Sequence, residues 1–199
     1  MVTKTKQTIK WKVFDVTVCL WFCLLLNSCD TDNPVGNNQR LELLPLKVGN
    51  SWTMQRTRFT RVGNLHDIDT ITITVDADTI IDGQTWFVTT SGIFRNSNNG
   101  LWRYLGAPLL QYKYPGQVAD TFAVARDTVV IESINEMKST PTSSFYCYHY
   151  VIHVSNSEGL MLHSYYSPGI GSISLEQASR GQDGWKLDSR LQLLSFTVQ

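Results

Sequence analysis

The sequence predicts an all-β domain in which about ten antiparallel strands form a curved sheet, a sandwich or an incomplete barrel. From Leu41 onward the apolar residues recur with a period of two, and β-branched and aromatic residues are dense among them. Clusters of Gly, Asn and Asp interrupt this pattern at intervals of roughly ten residues, which is the spacing of turns between short strands. The one candidate helix is a short segment at residues 41–46.

The individual strands follow from local patterns. Residues 51–61 form the first predicted strand, and residues 70–75 alternate threonine with apolar residues as a half-buried strand does. Asp82-Gly83 indicates a hairpin turn between strands at 79–81 and 85–89, because Gly tolerates the positive φ of a two-residue loop. The other predicted strands are 93–95, 101–104, 109–112, 127–132, 144–154, 160–167, 172–176 and 191–198.

Composition excludes one class of partner. The chain has 199 residues, 42% of them hydrophobic and 11% aromatic, so it can bury a core. Its 17 Lys and Arg balance 17 Asp and Glu. A nucleic-acid binder needs a basic footprint, and no nucleic-acid partner is therefore expected.

The N-terminus has the pattern of a signal sequence. Four lysines precede a mainly apolar run over residues 13–26, which is shorter than the roughly 20 residues needed to span a bilayer. The run ends in Leu26-Asn27-Ser28-Cys29, which resembles the lipobox of bacterial lipoproteins. This resemblance implies cleavage before Cys29, a diacylglycerol on its sulfur and an acyl chain such as palmitate on its freed amine.

These features divide the chain into a signal peptide (1–28), a polar tether (29–40) and a single β-rich domain (41–199). Loss of the signal peptide leaves 13 basic and 16 acidic side chains. Cys147 is then without an intramolecular partner, so stability must come from packing. The expected location is the cell envelope, at the outer membrane. Acidic residues after the lipidated cysteine resemble export signals in some envelopes, but Asp directly after it resembles an inner-membrane retention signal in others, so the leaflet stays open.

Two further segments resemble a loose group of secreted lipoproteins. Residues 44–52 resemble their opening PLxxGNxW pattern, and residues 168–171 resemble their PGxG turn. The resemblance implies an all-β fold and an envelope location, and it implies no activity. Physically, Gly49-Asn50 can turn the chain into the first strand, Trp52 can plug one end of the sheet, and Gly171 suits a turn or bulge where a side chain would clash.

The sequence offers little support for catalysis or for a bound cofactor. No G-x-S-x-G elbow occurs, and no S-x-x-K lies at a strand-to-helix junction. Cys147 and His149 share a strand face, but aromatic residues surround them and favour a small buried Cys147. His149 and His153 would lie about 13 Å apart along a strand, which is too far for one metal ion.

Acidic residues raise the question of calcium. Asp67 and Asp69 form one same-face pair, and Asp76 and Asp78 form another. The glycine and the closing glutamate of an EF-hand are missing from this segment, so charges that protect strand edges are the favoured interpretation. The sequence does not decide whether these carboxylates bind calcium.

The aromatic content predicts a binding surface. Aromatic rings combine a large contact area with a polar tip, so they can line an apolar face or stack on sugars. The predicted function is a lipid-anchored, non-catalytic envelope module that binds a protein or glycan partner. The alternative is a periplasmic carrier of lipid or acyl chains in an open β-barrel, and an envelope hydrolase is disfavoured. The candidate ligand-facing residues are Trp86, Trp102, Tyr104, Tyr148 and Tyr150.

Overall fold

A computed structural model describes residues 41–60, 62–155, 157 and 159–199. The predicted signal peptide, the lipidation site Cys29 and the tether lie outside the described residues.

The described chain is all-β, as predicted, and contains twelve strands. No described residue is helical, so the short helix expected at 41–46 does not form. The strands are β1 Ser51–Phe59, β2 Leu65–Ile81, β3 Gln84–Thr89, β4 Gly92–Ser97, β5 Gly100–Tyr104, β6 Pro108–Lys113, β7 Thr121–Val124, β8 Asp127–Ser139, β9 Ser144–His153, β10 Leu160–Ser167, β11 Gly171–Gly181 and β12 Gly184–Thr197.

The twelve strands form one antiparallel meander that nearly closes on itself. Their order in the sheet is β6-β5-β4-β3-β2-β1-β12-β11-β10-β9-β8-β7. The first and last strands pair along their length, with Trp52 opposite Phe196. Within the described chain the two edges are β6 and β7, which follow each other in sequence. The structure is therefore the incomplete barrel among the three predicted architectures.

Strand boundaries differ from the prediction in several places, and β8 and β11 extend beyond their predicted ends at 132 and 176 to Ser139 and Gly181. The predicted strands 70–75 and 79–81 are parts of the 17-residue β2, which continues through a register shift between Val75 and Ala77. The alternation is lost there because Asp76, Ala77 and Asp78 are all exposed. The short β7 was not predicted, and β12 begins seven residues before the predicted 191.

The core lies on the inner face of this sheet. Trp52 and Met54 of β1 are each 1% exposed, and the indole Nε1 of Trp52 donates a hydrogen bond to the Ile170 carbonyl at 2.5 Å. Gly171 has a φ of +108°, and a Cβ there would lie 2.7 Å from Leu44 and 3.0 Å from Trp52. The two segments that resemble secreted lipoproteins therefore pack against each other, and Gly171 is required because of that contact.

Candidate functional site

The strongest candidate site is a cavity of about 390 Å³ on the inner face of the sheet. This size is typical of pockets that hold small molecules. No described lining residue carries a charge. The lining residues are Leu44, Trp52, Met54, Ile71, Thr72, Ile73, Thr89, Thr90, Ser91, Phe94, Tyr112, Ser164, Tyr166, Ser172, Ser174, Leu175 and Leu191. We call this space the interior cavity.

Hydroxyl groups supply the polar part of the interior cavity. The Tyr112 hydroxyl donates to Ser164 Oγ at 2.9 Å, and Ser174 Oγ donates to the Leu191 carbonyl at 2.9 Å. Burial raises the pKa of Tyr112, so its hydroxyl stays neutral. The exposed lining residues Thr72, Thr90 and Ser91 mark the open side. The cavity is thus an uncharged, mainly apolar chamber with a few fixed hydroxyls.

Two of the predicted ligand-facing aromatics belong to a tyrosine cluster beside the cavity. Tyr150 lies 4.7 Å from Tyr112 between ring centroids, and its hydroxyl donates to the Lys113 carbonyl at 2.9 Å. Tyr148 stacks on Tyr150 at 6.1 Å and meets Tyr114 edge-on at 5.1 Å. Because these contacts join β6 to β9 across the interior, the cluster holds the edge strand β6 to the opposite wall. Neither Tyr148 nor Tyr150 is among the described lining residues.

The other three predicted aromatics lie on the outer face of β3–β5. Trp86 is 1% exposed and meets Tyr104 edge-on at 5.6 Å. The Arg95 guanidinium covers Trp86 at 4.9 Å and Trp102 at 5.8 Å. The Trp102 indole also donates to Ser97 Oγ at 2.9 Å. The ligand contact proposed for these five aromatics stays a prediction, and the structure accounts for their placement by packing.

None of the five ligand-facing residues chosen from the sequence is among the described residues that line the interior cavity. The lining residues come from several strands, and only the register between the strands brings them together. Examples are Ser164 and Tyr166 of β10 and Leu191 of β12. The one usable signal was the number of Ser and Thr residues at alternate positions of predicted strands, which indicates a wall that is partly polar.

A second group of polar side chains lies on the opposite face of β10–β12. His149 accepts or donates at both ring nitrogens, with Nδ1 2.8 Å from Glu136 Oε2 and Nε2 2.9 Å from His163 Nδ1. Lys138 Nζ donates to Glu176 Oε1 at 2.9 Å, and Arg190 Nε lies 2.9 Å from the same oxygen. The Arg190 Nε–H makes no directed hydrogen bond, so that contact is an ion pair. These six residues are the outer polar network.

The bend of β8 assembles the outer polar network. Three strand spacings of about 4.8 Å separate β8 from β11, yet Lys138 of β8 touches Glu176 of β11. Two register shifts in β8, after Ile131 and after Ser133, let its second half fold over the outer face. Lys138 Nζ also lies 3.9 Å from the Tyr165 ring centre, where it gains a cation–π contact.

Burial and charge shift two pKa values in the outer polar network. Burial, followed by the neighbouring His149, lowers the pKa of His163. Burial also pulls the pKa of Glu176 upward, but the hydrogen bond and charge of Lys138, with Arg190, hold that pKa below its ordinary value. Glu176 is therefore the anion that two cations share.

Cys147 is a buried residue, as predicted. It is 1% exposed and has no disulfide partner. Burial, with a smaller contribution from the negative charge of Glu136, raises the pKa of its thiol to about 12. The thiol is thus protonated at neutral pH, which disfavours a thiolate pair with His149.

Three of the four acidic residues considered for calcium have partners within the protein. Asp69 accepts from Arg56 Nε at 2.8 Å, and Asp67 pairs with Arg58. Asp76 accepts from the Thr74 hydroxyl at 2.5 Å. Among the described residues, no three His, Cys, Asp or Glu side chains are placed to hold a metal ion together.

Comparisons with known proteins identify the fold. No protein-family model and no curated protein sequence matches the chain. A protein from Bacteroides fragilis, described as exported and as having a YmcC-like fold, has a similar solved structure, with a TM-score of 0.51 and 15% identity over 79% of this chain and 99% of that chain. A protein from Parabacteroides distasonis, described as a lipoprotein, matches over the same shares with 15% identity and a TM-score of 0.39. The first similarity shows a shared fold.

No helix in the described ranges has the length and apolar character needed to cross a membrane.

Proposed function

We propose that the protein is a lipid-anchored envelope module that binds a small, mainly apolar ligand in the interior cavity without chemical conversion. The observation that carries this proposal is the cavity itself, a space of about 390 Å³ with an uncharged wall. Among the functions predicted from sequence, the carrier of lipid or acyl chains agrees best with such a wall.

The chemistry of the lining defines the ligand class. Side chains such as Met54, Ile71 and Leu191 offer contact to hydrocarbon, which is driven by removal of apolar surface from water. Ser164 and Tyr112 already satisfy each other through their hydrogen bond, so they require nothing from a ligand. An aliphatic chain therefore meets no unpaired polar group at these positions in the depth of the cavity.

The envelope location rests on separate support. The signal pattern and the lipobox Leu26-Asn27-Ser28-Cys29 imply an acylated N-terminus, and the proposed anchor is a diacylglycerol with palmitate or a similar chain at Cys29. The similar structure from Bacteroides fragilis is described as that of an exported protein. We propose the outer membrane as the site of anchoring. Full-length wild type should incorporate labelled palmitate and yield a mature chain that begins at Cys29, and the Cys29→Ser variant should do neither.

A second candidate function uses the outer face of β3–β5. Trp102 and Tyr104 are half-buried there, and the Arg95 guanidinium lies over the Trp102 ring. A rigid aromatic ring beside a cation suits stacking on a sugar or a protein side chain. This is the surface on which the predicted glycan or protein partner would bind.

The test uses the mature chain, residues 29–199, with Cys29→Ser to keep it soluble. Protein purified without detergent from a bacterial host should carry a lipid or fatty acid that organic extraction releases for mass spectrometry. Leu191→Trp fills the cavity from β12 and should abolish this co-purification. Leu187→Trp, on the same strand but outside the described lining, is the matched control.

The outcomes separate the two candidates. Thermal unfolding of both variants establishes that they are folded. A wild-type protein that carries no lipid and binds none of the added fatty acids would contradict the cavity proposal. Loss of binding to envelope polysaccharide in a Trp102→Ala variant would support the outer surface instead.

A further inference from the structure

We infer that the ligand of the interior cavity is an anionic amphiphile, with its chain in the cavity and its head group bound by Arg103 at the open side. This inference rests on the proposed function and names the ligand class for the same site.

The register of β4 and β5 places Arg103 on the cavity side of the sheet. Arg103 pairs with Phe94, so the two side chains project from the same face. Phe94 lines the cavity, and the Arg103 guanidinium carbon lies 5.7 Å from its ring centre. Arg103 Nη2 also donates to the carbonyl of Ser91 at 3.4 Å. Because Ser91 is an exposed lining residue, Arg103 stands at the rim of the open side.

The charge of Arg103 reaches into the cavity. Burial raises the pKa of the Tyr112 hydroxyl most, and the positive charge of Arg103 acts on the same hydroxyl in the opposite direction. Tyr112 is a lining residue, so a ligand in the cavity would meet the same positive field. A guanidinium stays charged at every physiological pH.

Arg103 lacks the partners that the protein gives to its other cavity-side arginines. Arg56 and Arg58 lie on the inner face of β1 and pair with Asp69 and Asp67. Arg103 has no ion pair within the described part of the chain, and its Nε is buried without a hydrogen-bond acceptor there. A buried donor without an acceptor is unfavourable, and an anionic oxygen bound at this position would satisfy it.

These observations select the ligand chemistry. An apolar chamber that has at its rim a cation without a counter-ion among the described residues is complementary to a molecule with one hydrocarbon chain and one anionic group. A carboxylate and a phosphate share this chemistry, since a guanidinium binds either one through two parallel N–H···O contacts. A neutral alcohol of the same chain length would fill the chamber equally well but would leave Arg103 unpaired.

The experiment compares three probes of equal chain length on the mature chain with Cys29→Ser at pH 8. Dodecanoate, dodecyl phosphate and dodecanol are each titrated against a fluorescent fatty-acid analogue. Wild type should bind at least one of the two anions about tenfold more tightly than dodecanol. Arg103→Gln should remove this preference and leave dodecanol binding unchanged, and Arg103→Lys should restore part of it.

Arg95→Gln is the matched control, because Arg95 is an arginine on the neighbouring strand β4 whose side chain lies on the outer face. It should keep the full preference for anions. The relative affinities for dodecanoate and dodecyl phosphate then tell a fatty acid from a phospholipid head group. An unchanged preference in Arg103→Gln, or an equal loss in Arg95→Gln, would overturn the inference while cavity binding stands. Failure of all three probes to bind wild type would instead refute the proposed function.

Discussion

The interior cavity and the outer polar network lie on opposite faces of the same three strands, β10–β12. Along β10, Ser164 and Tyr166 face the cavity, while His163 and Tyr165 face the network. The network contains charges, but each of its cations contacts a carboxylate or an aromatic ring. The cavity contains no described charge, and the cation at its rim has no counter-ion among the described residues.

The difference teaches where a ligand is needed. Clusters of titratable groups with shifted pKa values often mark functional sites, yet structural ion-pair networks produce the same shifts. In the outer polar network Glu176 is the counter-ion of both Lys138 and Arg190, so the charges of these two cations are balanced without a ligand. The interior cavity has unfilled space, and the cation at its rim has no counter-ion among the described residues. This difference favours the cavity as the binding site.

The largest effect is expected from Gly171→Ala, on the cavity side. The new Cβ would lie 2.7 Å from Leu44 and 3.0 Å from Trp52, at a φ of +108°. Overpacking and backbone strain together should lower the free energy of unfolding by about 3 kcal/mol, measured by urea denaturation. Leu44 and Trp52 both line the cavity, so ligand binding should weaken as well.

Gly184→Ala is the control for the backbone contribution. Gly184 has nearly the same φ, +107°, but no described atom lies within 4 Å of the position that a Cβ would occupy there. Its substitution should cost about 1 kcal/mol. Equal losses in the two variants would mean that crowding of the new Cβ against Leu44 and Trp52 adds nothing to the cost of the backbone strain.

The next effect is expected from Glu176→Gln, in the outer polar network. The change keeps the size of the side chain but leaves Lys138 and Arg190 without their shared carboxylate. Because Lys138 and Glu176 are only 18% and 15% exposed, the free energy of unfolding should fall by about 2 kcal/mol.

The control for Glu176→Gln is Asp183→Asn, which removes an exposed ion pair with Lys186. It should have no measurable effect on stability. Glu176→Gln should also leave ligand binding in the cavity intact in a folded sample. If Glu176→Gln weakened ligand binding in the cavity without lowering stability, the two faces would not be functionally independent.

Sequence patterning predicted the class of fold because alternation is a local property. Residues 70–75 form a half-buried part of β2, as their alternation of threonine with apolar residues indicates. The short β7 was missed because its hairpin turn has Ala125 at a φ of +56°, where Gly or Asn would give the usual signal. A local rule cannot detect a turn that is stabilised by its surroundings.

The candidate site was harder to predict because it depends on which face is inside. Strand β9 carries aromatic residues on both faces, so Tyr148 and Tyr150 could not be distinguished from surface residues by alternation alone. The pairing of His149 with His163 requires the register of β9 on β10, and the position of Arg103 requires that of β4 on β5. Each of these registers is set by the turn that joins the two strands. The sequence pattern does not determine the geometry of these turns, so it cannot determine the registers.

A smaller effect is expected from pH, again on the network side. The pKa of His163 is lowered, chiefly by burial, so the folded protein binds this proton less readily than the unfolded chain, whose pKa is near 6.5. The stabilisation is therefore complete above pH 6.5 and is lost as the pH falls below it. The urea midpoint should drop between pH 7.5 and pH 5.5, and His163→Gln should reduce that drop. Glu176 titrates only below its ordinary pKa of 4.5, outside this range.

The smallest effect is expected on the reactivity of Cys147. The rate at which its thiol is labelled distinguishes a purely structural network from one that activates the thiol. Cys147 lies on the network face of β9, two residues before His149, in the arrangement that a thiolate pair would use. Its thiol is buried and its pKa is raised to about 12, so little thiolate exists at pH 7.5. A thiol reagent added to the Cys29→Ser chain should therefore label Cys147 only as fast as the protein unfolds, and His149→Gln should not slow that reaction. Rapid labelling of the native protein that depends on His149 would show that the network activates the thiol, and the functional contrast between the two faces would then have to be reversed.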